Sequence, residues 1–355
     1  MKILYAAFVR LPTARAHGVQ IVKTCEALSA HGAFVTLVTP GMKTQVPGTV
    51  FDYYDSKKNF SIVPLNTPDW IRWGTMGFVL SALWFSEVLK WRKDFWDADI
   101  VYSRDAFVLL QYVLLGRSLV YEAHTAPTWV STIVARRARL VVVISEGLRD
   151  AYHARGVPAE RLVVAHDAVD LAPFGAVYDQ KAVREELGVP LNKTIALYVG
   201  RIDAEKGAGV FAAASETLDA AHVAVLVGPG PLKRDLETRF PHAVFLPETP
   251  YRDLPRVLAA ADILVIPNSL QSDNASLYTS PLKAYAYLAA RKPIIAADVP
   301  ALRAVFKDAV TYVQPDDPDS LARAIMDTES LKLPGLEPYT WDARATDILH
   351  ALKAI

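Results

Sequence analysis

Short apolar, β-branched runs alternate along this chain with longer segments of helical spacing, and turn residues separate the two. In the first half the runs fall at 2–8, 33–38, 61–65, 99–103, 118–122, 139–145 and 162–166, with a helical pattern at 18–30. The pattern restarts at 194–199, 222–227, 243–246, 262–266, 293–297 and 310–313, with a helix-like run at 208–218. A buried parallel strand reads as a continuous apolar run bounded by turn signals, and its alternation with helices is the signature of βαβ units. The expected fold class is therefore α/β, with two doubly wound Rossmann-like domains facing each other across a cleft. Between the halves, 169–190 is punctuated by Pro173, Gly175, Gly188 and Pro190 and reads as an interdomain connection. The expected bounds are 1–170 for the first domain, 171–190 for the linker and 191–335 for the second domain.

Composition narrows the partners. A chain of 355 residues with 52% apolar content can bury two sizeable cores. Lys+Arg and Asp+Glu stand at 38 each, so no global charge points to nucleic acid. The lone cysteine, Cys25, excludes an internal disulfide, fits a reducing cytosol and falls at a core position of a helical pattern. The chain starts directly with a strand pattern, with no signal-peptide pattern before it, so a cytoplasmic location is expected. Residues 70–99 differ from their surroundings, holding Trp70, Trp73, Trp84, Trp91 and Trp96, five of the seven tryptophans. The stretch is too short and too polar at its end to span a bilayer. Two readings stand: a long core helix with aromatic packing, or a helix at the membrane interface with Arg72, Lys90, Arg92 and Lys93 beside it. The second would make the protein peripheral at the inner face of the membrane.

The chemistry collects where strand patterns end, as ligands do in open α/β sheets. In T-I-A-L-Y-V-G-R-I-D-A-E-K-G (194–207) a strand breaks at Gly200 and sets Arg201 and Lys206 before a helix. A planar guanidinium, a point ammonium and free N–H groups at a helix start suit a diphosphate. In L-P-T-A-R-A-H-G-V-Q (11–20), Gly18 at a helix start would let a ligand approach the backbone. Glu122 and His124 in V-Y-E-A-H-T end another strand, and the histidine could donate to a sugar hydroxyl or help a proton leave an acceptor. In S-P-L-K-A-Y-A-Y-L (280–288), Ser280 can N-cap a helix that opens with Pro281 and carries Lys283 in its first turn.

Taken together, Y-V-G-R-I-D-A-E-K-G, V-G-P-G-P, the S-P-L-K block and V-V-V-I-S-E-G-L-R-D resemble the family 4 retaining glycosyltransferases, from the first strand to the last helix. The resemblance implies the GT-B fold and sugar transfer from a nucleotide diphosphate sugar, with retention and with neither metal nor cofactor. It implies that the second half holds the donor through Gly18 (from the first half), Arg201, Lys206, Gly228, Ser280, Pro281 and Leu282. His124, Arg201 and Lys206 would be catalytic, and His17, Arg104 and Glu122 stand on the acceptor side. It also implies that 336–355 is a last helix crossing back to the first domain. Two positions depart from the family pattern. Ala286 stands where a glutamate accepts hydrogen bonds from ribose hydroxyls, with Tyr278 at the paired position, and Ala168 replaces a usual glycine. Alanine cannot accept a hydrogen bond.

Other classes fare worse. Gly207–Ala212 fits G-x-G-x-x-A nominally, but Gly207 lies seven residues past Gly200 instead of following the strand at once, which disfavours hydride transfer. No acidic pair suggests hydrolysis, and no His/Cys/Asp cluster has metal spacing. The expected function is a retaining, metal-independent hexosyltransferase acting on a glycan, lipid-linked or small-molecule hydroxyl, as in polysaccharide biosynthesis. The alternative is a related protein that binds a sugar nucleotide or a partner without turnover.

Overall fold

Every one of the thirteen apolar runs forms a strand. The computed structural model, which describes residues 1–44 and 46–355, has two α/β units, one of 1–167 with 341–355 and one of 168–340. Unit 1 holds β1 (Lys2–Ala6), β2 (Phe34–Pro40), β3 (Ser61–Leu65), β4 (Ile100–Ser103), β5 (Leu119–Ala123), β6 (Leu140–Val143) and β7 (Leu162–Val164). They pair in parallel in the order β3-β2-β1-β4-β5-β6-β7. β4, β5 and β6 are buried at every residue, as expected for strands covered on both faces.

Unit 2 holds β8 (Thr194–Val199), β9 (His222–Val227), β10 (Val244–Leu246), β11 (Ile263–Ile266), β12 (Ile294–Ala297) and β13 (Thr311–Val313), in the parallel order β10-β9-β8-β11-β12-β13. In each sheet the strand order reverses at one point, beside β1 and β4 in unit 1 and beside β8 and β11 in unit 2. Such a switch point opens a crevice at the carboxyl ends of the strands.

The expected linker is not one. Within 171–190 the segment Gln180–Leu187 is a helix, and the whole stretch belongs to unit 2. Asp179 accepts from the amides of Lys181 and Ala182 at its start, and Gly188 adopts the left-handed conformation at its end. Of the turn-like residues that suggested a connection, Gly188 is the C-cap of this helix, and Pro173 and Gly175 lie in the short 3-10 turn Ala172–Gly175. The last helix, Trp341–Ala354, packs against the first helix, Ala16–Ala30, within unit 1, and Cys25 is buried on the latter.

Candidate active site

At the carboxyl end of β8 the backbone turns sharply against that of β9. Gly200 and Gly228 have φ of 148° and 143°, and a Cβ on Gly228 would overlap the Gly200 carbonyl oxygen. Gly200 N–H donates to Val227 O at 2.9 Å and Ile202 N–H to Pro229 O at 2.8 Å, which locks the two strand ends together. V-G-P-G-P is thus a packing requirement of this turn. Arg201 and Lys206 project from it. Arg201 Nε lies 3.1 Å from Asp203 Oδ2, while Asp203 Oδ1 accepts from the Lys206 amide at 3.0 Å. Among the described residues the Lys206 ammonium has no hydrogen-bond or ion-pair partner.

A third cation completes the cluster. Lys283, in the first turn of the helix Leu282–Ala290, places Nζ 3.8 Å from the centre of the Tyr198 ring and 2.9 Å from where a Gly200 Cβ would stand. Its Nζ is shut off from solvent and, among the described residues, has no hydrogen-bond partner. Burial and then the neighbouring Lys206 push its ammonium well below the usual lysine range. Two hydroxyls hold the frame: Tyr198 donates to Arg201 O at 2.7 Å, and Tyr287, on the Lys283 helix, accepts from Val199 N–H at 2.9 Å. Arg201 and Lys206, with the buried Lys283 amine behind them, stand against the single carboxylate of Asp203, a balance that favours an anion.

In unit 1, residues following β1, β4 and β5 build a second polar cluster around Glu122, which is 0% exposed. Its Oε1 accepts from Gln20 Nε2, from His124 Nε2 at 2.7 Å and from Arg344 Nη2 at 2.7 Å; its Oε2 accepts from Tyr102 OH at 2.6 Å. Arg104 Nη1 donates to Gln20 Oε1 at 2.9 Å. Burial alone would raise the Glu122 carboxyl, but the Arg344 guanidinium and the His124 hydrogen bond outweigh it and hold the group below the usual carboxylate range. His124 is pushed down to about 4 by burial and then by Arg104, against the opposing pull of Glu122. His17, near the start of the first helix, is likewise down at about 4 through burial, Arg104, Arg15 and His124. Both imidazoles are neutral at pH 7.

A family profile described as Glycosyltransferase Family 4 matches 17–173, and one described as Glycosyl transferases group 1 matches 193–329. Between them they take in most of both units. The two matched domains are those of the family 4 type of glycosyltransferase. Among its relatives, the D-inositol 3-phosphate glycosyltransferase of Mycobacterium tuberculosis is 25% identical over 249 residues, 67% of this chain and 50% of the relative. The chain thus matches about half the length of the curated relatives. Of solved structures, Anabaena HepE in complex with UDP and glucose aligns over 100% of both chains, with 17% identity and a TM-score of 0.75. Sucrose-phosphate synthase from Thermosynechococcus elongatus aligns over 99% of this chain and 98% of its own, with 18% identity and a TM-score of 0.80. With two parallel-sheet α/β domains and these neighbours, the fold is GT-B.

Several expected site residues of this glycosyltransferase have other duties. Glu122 cannot meet an acceptor, because it is sealed beneath His124. Gly18 makes room for protein: a Cβ there would overlap the Tyr54 hydroxyl, which bridges the Thr13 amide and carbonyl at 2.8 Å each. Ser280 does not cap its helix. The cap position is Pro281, the first helical residue is Leu282, and the buried Ser280 Oγ lies 3.1 Å from Tyr285 OH. Ala286 is 2% exposed and belongs to the apolar core of unit 2, so its methyl group packs with the core. Ala168 is also buried. Sequence reasoning missed Arg344, Gln20 and Tyr102, the buried partners of Glu122.

Within the tryptophan-rich stretch the helix Gly74–Lys90 buries Phe85 and Leu89 but leaves a second apolar face outside. Its buried positions include the small residues Gly77, Ser81, Ala82 and Ser86, while Met76, Leu80, Leu83 and Trp84 are exposed, as are Trp73, Trp91 and Trp96 nearby. Arg72 lies over the Trp73 ring at 5.7 Å. Among the described residues no helix is long and apolar enough to cross a membrane.

Proposed function

We propose that this protein transfers a sugar, with retention and without a metal, from a nucleotide diphosphate sugar to a carbohydrate or lipid-linked hydroxyl. The observation that carries the reading is the cation cluster of Arg201, Lys206 and Lys283 at the carboxyl end of β8, with one of its ammonium groups buried and lacking an acceptor. As the glycosidic bond breaks, its electron pair leaves with the β-phosphate, and preorganised cations stabilise that charge where it develops. The acceptor hydroxyl forms the new bond on the same face, and its proton passes to the leaving diphosphate. The family resemblance gives His124 the part of contacting the transferred sugar. HepE is described with UDP and with UDP-glucose, which makes uridine donors the first to try. The exposed tryptophan face supports a peripheral contact with the inner membrane surface, where a lipid-linked acceptor would lie.

A second reading, sugar-nucleotide binding without turnover, is favoured by one observation, the core-packed Ala286 in place of a ribose-binding carboxylate. Turnover separates the two. With a labelled donor and a mixed acceptor pool, Arg201→Ala should slow transfer by about a hundredfold or more, as loss of one preorganised donor can do. A near-normal rate in that variant would sink the proposed role of the cluster.

A further inference from the structure

The protonation of His124 is fixed from behind. Its Nε2 is 2.7 Å from Glu122 Oε1, and an ionised carboxylate only accepts, so the proton sits on Nε2. A neutral imidazole carries one proton, and so Nδ1 is bare. Among the described residues nothing donates to it. The ring therefore offers a ligand an acceptor; of the two roles the sequence suggested for it, donation to a sugar hydroxyl does not fit this state.

What maintains this arrangement is Arg344 on the last helix, 0% exposed. Its Nη1 donates to the carbonyl of Ala165 and to that of His166 at 2.5 Å, and its Nη2 to Glu122. Both Nη groups of the fork are engaged by protein, so Arg344 reaches a ligand through its neighbours: through its hydrogen bond to Glu122 and through its charge beside His124. The other groups that bear electrostatically on Glu122 or His124 are Tyr5, Tyr102, Cys25, Arg104, His17 and Asp167. Of these, Tyr102 gives Glu122 a hydrogen bond, and only Arg104 adds positive charge at neutral pH.

We propose that Arg344 is a positioning residue: through Glu122 it fixes His124 in the Nε2–H form, so that Nδ1 selects a ligand hydroxyl or amine and disfavours a carboxylate or phosphate oxygen. The identity of that hydroxyl as one on the transferred sugar rests on the proposed function. The state of the ring does not.

Long-range 15N–1H spectra of the labelled full chain, with His124 assigned by its loss in His124→Gln, read the ring directly. In the unsubstituted protein Nδ1 should be the unprotonated nitrogen at pH 7, and the ring should stay neutral to below pH 5. Arg344→Met should flip the ring to Nδ1–H or raise its titration midpoint by about one unit or more, since both Glu122 and His124 lose a neighbouring positive charge. Arg344→Lys, which keeps the charge, should retain the parent spectrum. In turnover with the active donor, kcat/KM should fall about tenfold or more in Arg344→Met and recover in Arg344→Lys, on the scale of one lost charged hydrogen bond. An Nδ1–H or charged ring in the unsubstituted protein, or an unchanged ring in Arg344→Met, overturns the proposal. A chain without turnover would fail the proposed reaction and leave the spectra to decide this one.

Discussion

Replacing Arg344 by methionine keeps side-chain length and removes the charge that faces Glu122. The groups affected include the Glu122 carboxylate and the carbonyls of Ala165 and His166, which lose a hydrogen bond, and His124 and Asp167, which lose a neighbouring positive charge. Glu122 keeps Tyr102, Gln20 and His124 but remains fully buried with no ion pair of full charge. Breaking one half of a buried pair costs about 3–5 kcal/mol. For a unit of this size that lowers the melting temperature by roughly 6–20 °C. All seven tryptophans lie in unit 1, so intrinsic fluorescence follows its unfolding apart from that of unit 2. The sign with pH is also fixed. The folded Glu122 pKa is depressed, so its contribution is present above the unfolded value and is lost as pH falls toward the folded one. The unfolded states are alike, so the gap between parent and Arg344→Met is set by the folded carboxyl. It should be largest where Glu122 is ionised in both proteins and shrink as pH falls through the higher pKa of the variant's Glu122 toward the parent's depressed one. Glu122→Gln in the Arg344→Met background should restore part of the loss, because no unpaired charge then remains. A loss under 1 kcal/mol at pH 7, or a gap that widens on acidification, would refute the reasoning.

Three further outcomes are expected. Lys283→Met should weaken nucleoside diphosphate binding by about one to two decades, the worth of a charged hydrogen bond, while leaving the melting temperature of the free protein unchanged or higher. Isothermal titration and calorimetry read the two effects; undiminished binding would remove Lys283 from the site. Gly228→Ala, with φ at 143° and the Gly200 carbonyl in the way, should destabilise unit 2 by about 1–3 kcal/mol, seen as faster amide exchange in β8 and β9. The double change Trp73→Ser, Trp84→Ser should cut sedimentation with vesicles of 70% phosphatidylcholine and 30% phosphatidylglycerol by about tenfold or more, since each aromatic is worth about 2 kcal/mol when buried. Both residues are exposed but their rings lie against Trp70, so circular dichroism and the melting temperature of the variant are read alongside.

The strands were legible because a doubly buried strand must be apolar throughout. Thr194–Val199 and His222–Val227 agree with the sequence reading residue for residue. The turn at Gly200 was legible too, since a chain that leaves β8 against β9 has no room for a side chain at Gly228. What escaped was every contact made at long range. Arg344 meets Glu122 across 222 residues, and nothing in the local period of the last helix separates a buried arginine from a solvated one. Gly18 looked like a ligand cradle because the Tyr54 hydroxyl that fills it lies on a distant segment. The S-P-L-K block shows Lys283 in a first helical turn, but nothing local says that its Nζ stands buried beside Tyr198 or that Ser280 turns to Tyr285. The tryptophan helix misled for a different reason. Its inner face mixes Phe85 and Leu89 with the small residues Gly77, Ser81, Ala82 and Ser86, which leaves Met76, Leu80, Leu83 and Trp84 outside.

The most direct test of donor binding is titration calorimetry of the purified chain with UDP, GDP, ADP and dTDP, in parallel with Arg201→Ala and Lys283→Met. The account expects at least one diphosphate to bind, its affinity to fall by about one to two decades in each variant, and the monophosphate of the same base to bind more weakly. Diphosphate binding that is equal in all three proteins, or no binding by a well-folded chain, would contradict it.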